Sequence, residues 1–453
     1  MTLQKKQREL AWMVCGTAAA LALAGCGGGG GATTASAGSP TAATADAGTS
    51  TSAASAPGTA GSASPSAATA ATGSAGTTTG GTVTGTGTAS GSTTTTASAG
   101  STTPASGPAP VLGDCQMFPS NAIFNTRIDD TSKFPADPSS SAWVNLVGAG
   151  TSLMPNWGTT SNPADLGGYY GIPVNVVDGT SATTQWPTVS FDFAASGQST
   201  DQGYPDKSDC ASQQADGSFS IVQGCSQLGS GQRRFPFPSQ NLVAEGGTCA
   251  GPGSCGDHHV AVIEKGACRL WEAFYAFPIN GQWYAASTAA WNLNSLSLRP
   301  DGWASADAAG LPITPLLAKA AEASTGAINH ALRVTFRDAA LALQHRWPAR
   351  FAAGADNPGA IPFGALLRLR ADFQIPDSWT PQAKAVATAA KQYGMYVADN
   401  GMDFYVQGEP DAAWDPATSA QLRAITMANM EFVDLKAVTS DPRFSPDSMA
   451  ASW

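Results

Sequence analysis

Charge and aromatic rings are almost missing from the first quarter of this 453-residue sequence. Between Gly27 and Pro110 the only charged residue is Asp46, and Phe, Trp and Tyr do not occur. A segment of Gly, Ala, Ser, Thr and Pro cannot bury enough apolar surface to offset its chain entropy, so it reads as a disordered linker. As flexible coil it has a root-mean-square reach on the order of 50 Å. It is a plain spacer or, given its Thr and Ser, an O-glycosylated stalk. Basic residues are also few: 23 Lys and Arg stand against 33 Asp and Glu, a net charge of −10. Without a basic footprint, nucleic acid is not an expected partner. No apolar run is long enough to span a bilayer, and no repeat of fixed period occurs. P-loop, nucleophile-elbow, HExxH, dinucleotide and EF-hand signatures are missing, so no cofactor is implied.

The N-terminus carries an address. Lys5, Lys6 and Arg8 form a basic region, and Ala11 to Leu23 form a short, mainly apolar stretch. Leu23-Ala24-Gly25-Cys26 follows, small residues leading into a cysteine. The run is too short for a comfortable membrane span and has the plan of a signal peptide. The four residues resemble the lipobox of bacterial lipoproteins. The resemblance implies a signal peptide over 1–25, diacylation of Cys26 and a membrane as partner through the lipid anchor. Two or three acyl chains anchor stably where one is marginal. Gly27 stands where an Asp would favour inner-membrane retention, which points to the outer membrane in a cell that has one.

The composition changes near Val111. Residues 26–110 are expected to be the lipidated cysteine and linker, and residues 111–453 a globular region of one large or two packed domains. Of eight cysteines, Cys15 leaves with the signal and Cys26 takes lipid. The remaining six, Cys115, Cys210, Cys225, Cys249, Cys255 and Cys268, read as three disulfides in an exported protein. Fifteen pairings are possible. Cys249–Cys255 and Cys210–Cys225 are plausible local pairs, which leaves Cys115 for Cys268. A zinc site is the rival, although the spacings do not match CxxC-type ligand pairs.

Turn-bounded runs predict strands at 171–177, 188–193, 241–245, 258–264, 268–277, 328–336, 366–373, 394–398, 404–406 and 431–438. In 328–336, Ile328, His330, Leu332, Val334 and Phe336 share one face, and Asn329, Arg333 and Thr335 the other. Thr314-Pro315, Thr380-Pro381 and Asp415-Pro416 each predict a capped helix start, and a fourth helix is expected near Pro138. Asn400-Gly401 reads as a hairpin signal. The expected fold is mainly β or α+β, a β-sandwich-like domain with inserted loops and a few surface helices.

Candidate catalytic or ligand-binding residues lie between Glu245 and Asn400. Asp257 and His259, with His258 between them, open a strand and offer a general base or a metal ligand; whether a metal binds is left open. Glu272, between Leu270 and Phe274 on one strand face, is expected to be partly buried and either raised in pKa or paired with Arg299 or Arg333. His330 is expected to be buried and bonded to a carboxylate, with Asp307 as its partner and with His259 or Asp307 on the same cavity. Arg333 and Asp399 complete the candidates. Turn, core and ion-pair roles compete with function for each.

Tyr170-Gly171-Ile172-Pro173, Glu245-Gly246-Gly247, Asp257-His258-His259, Ser305 through Ile313, His330-Ala331-Leu332-Arg333 and Tyr393 through Gly401 together resemble a group of secreted bacterial proteins without an established reaction. That group more often has Arg where His258 stands, which directs attention to His259. The resemblance implies one coherent exported domain. Three functions compete. The first is a binding protein for polysaccharide or another envelope component. The second is a carbohydrate-active hydrolase using acids such as Glu245, Glu272 and Asp307, with Trp143, Trp157, Trp186, Trp271, Trp283, Trp291 and Trp303 to stack on sugars. The third is a metal-dependent hydrolase built from Asp257, His259 and His330.

Overall fold

Strand-forming runs of Val, Ile, Leu and aromatic residues assemble into two larger sheets. The computed structural model describes residues 108–198 and 202–453; the signal segment, Cys26 and the linker up to residue 107 lie outside them. In chain order the ten strands of these sheets are β1 (Met154–Asn156), β2 (Val174–Asp178), β3 (Val260–Lys265), β4 (Arg269–Phe274) and β5 (Ser287–Asn292), then β6 (Leu332–Phe336), β7 (Leu366–Leu369), β8 (Met395–Asn400), β9 (Tyr405–Gln407) and β10 (Met430–Val433). The smaller sheet has the order β5-β4-β3-β2, with only β3 and β2 parallel. The larger has the order β10-β7-β8-β6-β9-β1, with β8–β6 and β9–β1 parallel. A mainly β or α+β fold is thus correct.

Both sheets feed one core, in which Ile263, Leu270 and Trp291 belong to the same cluster as Leu332, Val334 and Val397. Alternation gives the smaller sheet a second buried face. Val260 and Val262 of β3 turn away from Ile263 to join Trp271, Trp186 and Phe235. The disulfides are Cys115–Cys268, Cys210–Cys225 and Cys249–Cys255. The first ties the start of the globular region to its middle.

Five α-helices occur among the described residues: α1 (Ser140–Val147), α2 (Ala320–Ser324), α3 (Pro381–Gln392), α4 (Pro416–Leu422) and α5 (Lys436–Thr439). Thr380 accepts from Ala383 N at 3.1 Å, and Asp415 from Ala417 N at 2.8 Å, so both caps form as expected. α3 is no surface helix. Its alanines are small enough to bury most of its circumference. Thr314-Pro315 starts only a single 3-10 turn, Thr314–Leu316, because Ala318 N, which would carry the helix on, donates to the Gln407 carbonyl oxygen at 3.1 Å.

Two other expectations fail. Residues 241–245 form no strand; the Asn175 side chain takes both polar groups of Val243, at 2.8 and 2.9 Å. Asn400-Gly401 closes no hairpin, since β8 and β9 lie on opposite sides of β6.

Candidate functional site

Four segments distant in sequence bring their polar side chains together: Glu245 to His259, the loop at Asp307, β6 and the end of β8. Glu245 and Asp257 bracket the loop closed by Cys249–Cys255. The loop begins on Gly246 and Gly247, both at positive φ; a Cβ on Gly247 would lie 2.1 Å from the Pro163 carbonyl oxygen. This close approach docks the loop, and Thr248 N donates to the same oxygen at 2.9 Å.

His259 is buried at the start of β3. Its Nδ1 lies 2.5 Å from Glu245 Oε2 and its Nε2 2.8 Å from the Ala306 carbonyl oxygen. Both neighbours only accept, so both ring nitrogens donate and His259 is an imidazolium. Burial alone would lower its pKa, but the charges of Glu245, Asp257 and Asp399 push it up to about 9. Glu245 is the reciprocal case: burial opposes its charge, and the His259 imidazolium outweighs burial and holds the carboxyl below its ordinary value. Asp257 has no such partner; burial and the nearby Glu245 charge push it up to about 6.

Arg333 anchors the other half. It is fully buried in β6. Its Nη2 lies 3.2 Å from Asp307 Oδ2 and 3.5 Å from Asp399 Oδ2. Asp307 is fixed by its own loop, with Oδ1 accepting from Ala309 N and Leu311 N at 3.0 Å each. Burial raises its pKa against the pull of Arg333. Asp399 arrives by a β-bulge. Val334 pairs with Val397 but Thr335 pairs with Asp399, so Ala398 is skipped. The extra residue moves Asp399 to the face that carries Arg333. Burial and the charge of Asp307 push Asp399 up to about 7.

The cluster therefore sets four carboxyl groups, Glu245, Asp257, Asp307 and Asp399, against two cations, His259 and Arg333. Excess acid in a low-dielectric site is relieved by proton uptake, and Asp257 and Asp399 take the protons. Glu245 and Asp399 keep 20% and 16% of their side-chain surface exposed, so the cluster has a wet edge. Arg333 Nε and Nη1 are buried without an acceptor.

Glu272 and His330 make no hydrogen bond within this cluster among the described residues, although the charge of Asp307 reaches Glu272. Glu272 is buried, but its carboxylate pairs with no arginine. It accepts from Ile313 N at 2.9 Å and Thr314 N at 2.7 Å, and burial pushes its pKa up to about 6. Arg299, its expected partner, holds buried Asp209 at 2.9 Å instead. His330 is buried and bonded to a carboxylate, but that of Glu322 in α2, at 2.7 Å. The expected strand at 328–336 starts only at Leu332, so His330 lies in a bend before β6 and not on a strand face, and Asp307 goes to Arg333 instead. The proposed Asp257, His259 and His330 metal set is thereby divided. Glu245, Asp257 and His259 do offer ligand atoms within 4.8 Å of one another, but both His259 nitrogens are committed to hydrogen bonds, which disfavours a metal there. The sugar-stacking platform is lost as well. Trp143, Trp157, Trp186, Trp271 and Trp291 are buried. Trp283 is covered by Phe237, with ring centroids 3.8 Å apart, and Trp303 lies under Arg299.

No protein-family model, curated protein or solved structure matches this chain.

Proposed function

We propose that the chain is an exported envelope protein, lipid-anchored through Cys26, whose globular region is an acid–base hydrolase of a polysaccharide or other glycan. The observation that carries the reading is the acid excess: four carboxyl groups converge on His259 and Arg333, and two of them are raised, Asp257 to about 6 and Asp399 to about 7. Acids whose environments separate their pKa values are suited to acid and base roles in glycoside cleavage. Asp399, at about 7, is the general acid, and Asp257, at about 6, the general base. The exposed edge at Glu245 and Asp399 offers acceptors for the hydroxyl groups of a polyhydroxylated ligand. Recognition then rests on hydrogen bonds rather than on exposed tryptophans.

The test is a panel of polysaccharides incubated with the detergent-purified full chain, scoring reducing ends and retention. Release of reducing ends that falls about 100-fold or more in Asp399→Asn and Asp257→Asn supports the reading. Retention without release identifies a binding protein instead. Neither retention nor release on any glycan contradicts both.

A further inference from the structure

The Cys249–Cys255 disulfide has a neighbour that the acid cluster does not use. A ring nitrogen of His258 and the two Sγ atoms all lie within 4.8 Å of one another. Sulfurs joined to each other do not ligate a metal, so the trio points to sulfur chemistry.

His258 is held in one state. Its backbone is left-handed, with φ 44°. Its Nδ1 lies 2.7 Å from the Ala276 carbonyl oxygen, so Nδ1–H donates and the lone pair sits on Nε2. The ring stacks on Phe277, with centroids 4.2 Å apart and planes 16° from parallel. Burial lowers its pKa, which keeps the imidazole a neutral base. Glu245 and His259 are the charged groups whose fields reach it.

A pocket of about 450 Å³ opens beside it, with His258, Cys249, Leu242, Thr248 and Asn280 among its walls and no charged side chain. The disulfide therefore has a base, a space for a small reactant and a half-buried cysteine, Cys249. Cys210 and Cys225 are fully buried. Cys115–Cys268 shares a half-buried member, Cys268, but among the described residues only Cys249–Cys255 has a histidine in such a trio.

We propose that Cys249–Cys255 is a thiol–disulfide exchange site for low-molecular-weight thiols, with His258 as its acid–base group. His258 Nε2 takes the proton of the incoming thiol. The thiolate attacks one Sγ, a new S–S bond forms as the protein's S–S bond breaks, and Nε2–H returns the proton to the departing Sγ. A second thiol attacks the mixed disulfide. The products are the Cys249 and Cys255 thiols and the oxidised form of the small thiol, so two thiols supply both electrons. Opening the bridge frees the loop between Glu245 and Asp257. A resulting loss of glycan hydrolysis rests on the proposed function, whereas the exchange chemistry does not.

The test treats the full chain with reduced glutathione, traps thiols by alkylation and follows each cysteine peptide by mass spectrometry. Cys249–Cys255 should open first, and His258→Asn should slow that step about 10-fold or more while the other bridges keep their rates. Asn suits the variant because it tolerates left-handed backbone. Opening at the parental rate in the folded variant overturns the proposal. If the variant does not fold, the order of opening in the parent decides. Cys249–Cys255 opening ahead of both other bridges supports exchange there, and opening no faster than Cys115–Cys268 overturns it.

Discussion

Two buried arginines in this protein show opposite arrangements of charge. Arg299 meets one carboxylate, Asp209, and spends its remaining donors on the Ala304 and Lys207 carbonyls, while Asp209 also accepts from Ala290 N. One cation faces one anion and each guanidinium nitrogen has an acceptor, although Asp209 Oδ1 has no partner among the described residues. Arg333 faces two carboxyl groups, leaves Nε and Nη1 without acceptors, and adjoins a second acid pair around His259. The first arrangement suffices to hold a sheet to its loops. The second carries more acid and more unfilled donors than folding requires, which is why it is the candidate site.

The comparison breaks most visibly at the arginines. Removing one partner of a buried ion pair costs about 3–5 kcal/mol. Arg299→Met and Arg333→Met should both lose stability on that scale by urea unfolding at pH 7. They should differ in acid: the Arg333→Met loss should shrink at pH 5, where Asp399 and Asp257 are protonated. In the surviving folded fraction Arg299→Met should keep glycan turnover and Arg333→Met should lose it. Equal turnover in both would remove the distinction.

Asp399→Asn should separate chemistry from stability. The folded pKa of Asp399, about 7, lies above its ordinary value of 3.8. The native state therefore holds more protons than the unfolded chain between these values, and this group's contribution to stability falls as pH rises through that window. The Asn variant should show a flatter stability profile there and an unfolding free energy at pH 8 no lower than the parent's, with turnover lost. A steeper profile would contradict the assignment.

His330→Gln is the smaller test. Losing the bond to Glu322 should cost about 1–2 kcal/mol, read as a lower melting temperature, with turnover unchanged. A loss of turnover without a loss of stability would return His330 to the site. Smallest of all for the domain, Cys26→Ser should leave the melting temperature unchanged while releasing the protein from the membrane fraction. Retention in that fraction would contradict lipid anchoring.

Much of this was legible in the sequence. Strand patterning, two caps followed by proline and the local cysteine spacings led to the sheets, to α3 and α4, and to the bridges. Asp257, His259, Asp307, Arg333 and Asp399 stood out as polar residues at strand ends and Gly-bounded loops, and they converge. What the sequence hid depends on pairing across distance. The alternation of the run 328–336 was visible, but not that its strand would start at Leu332 and leave His330 in the bend before it. The skipped Ala398 has no local signature, so the route by which Asp399 reaches Arg333 was invisible. The failed strand at 241–245 depends on one side chain, Asn175, about 70 residues away in sequence. Tryptophan number said nothing of exposure; most of those rings fill the cores.

The charge state of His259 tests the acid-excess site most directly. Nitrogen-15 NMR of the histidine rings, assigned by comparison with Glu245→Gln, reads both of its nitrogens at once. A raised folded pKa means that the stabilising proton is held below the ordinary value of 6.5 and lost only as pH rises through about 9. His259 should therefore show two N–H groups at pH 7.5 and titrate near pH 9, and Glu245→Gln should lower that midpoint. A neutral His259 ring at pH 7.5, titrating near 6.5 in both proteins, would contradict the site.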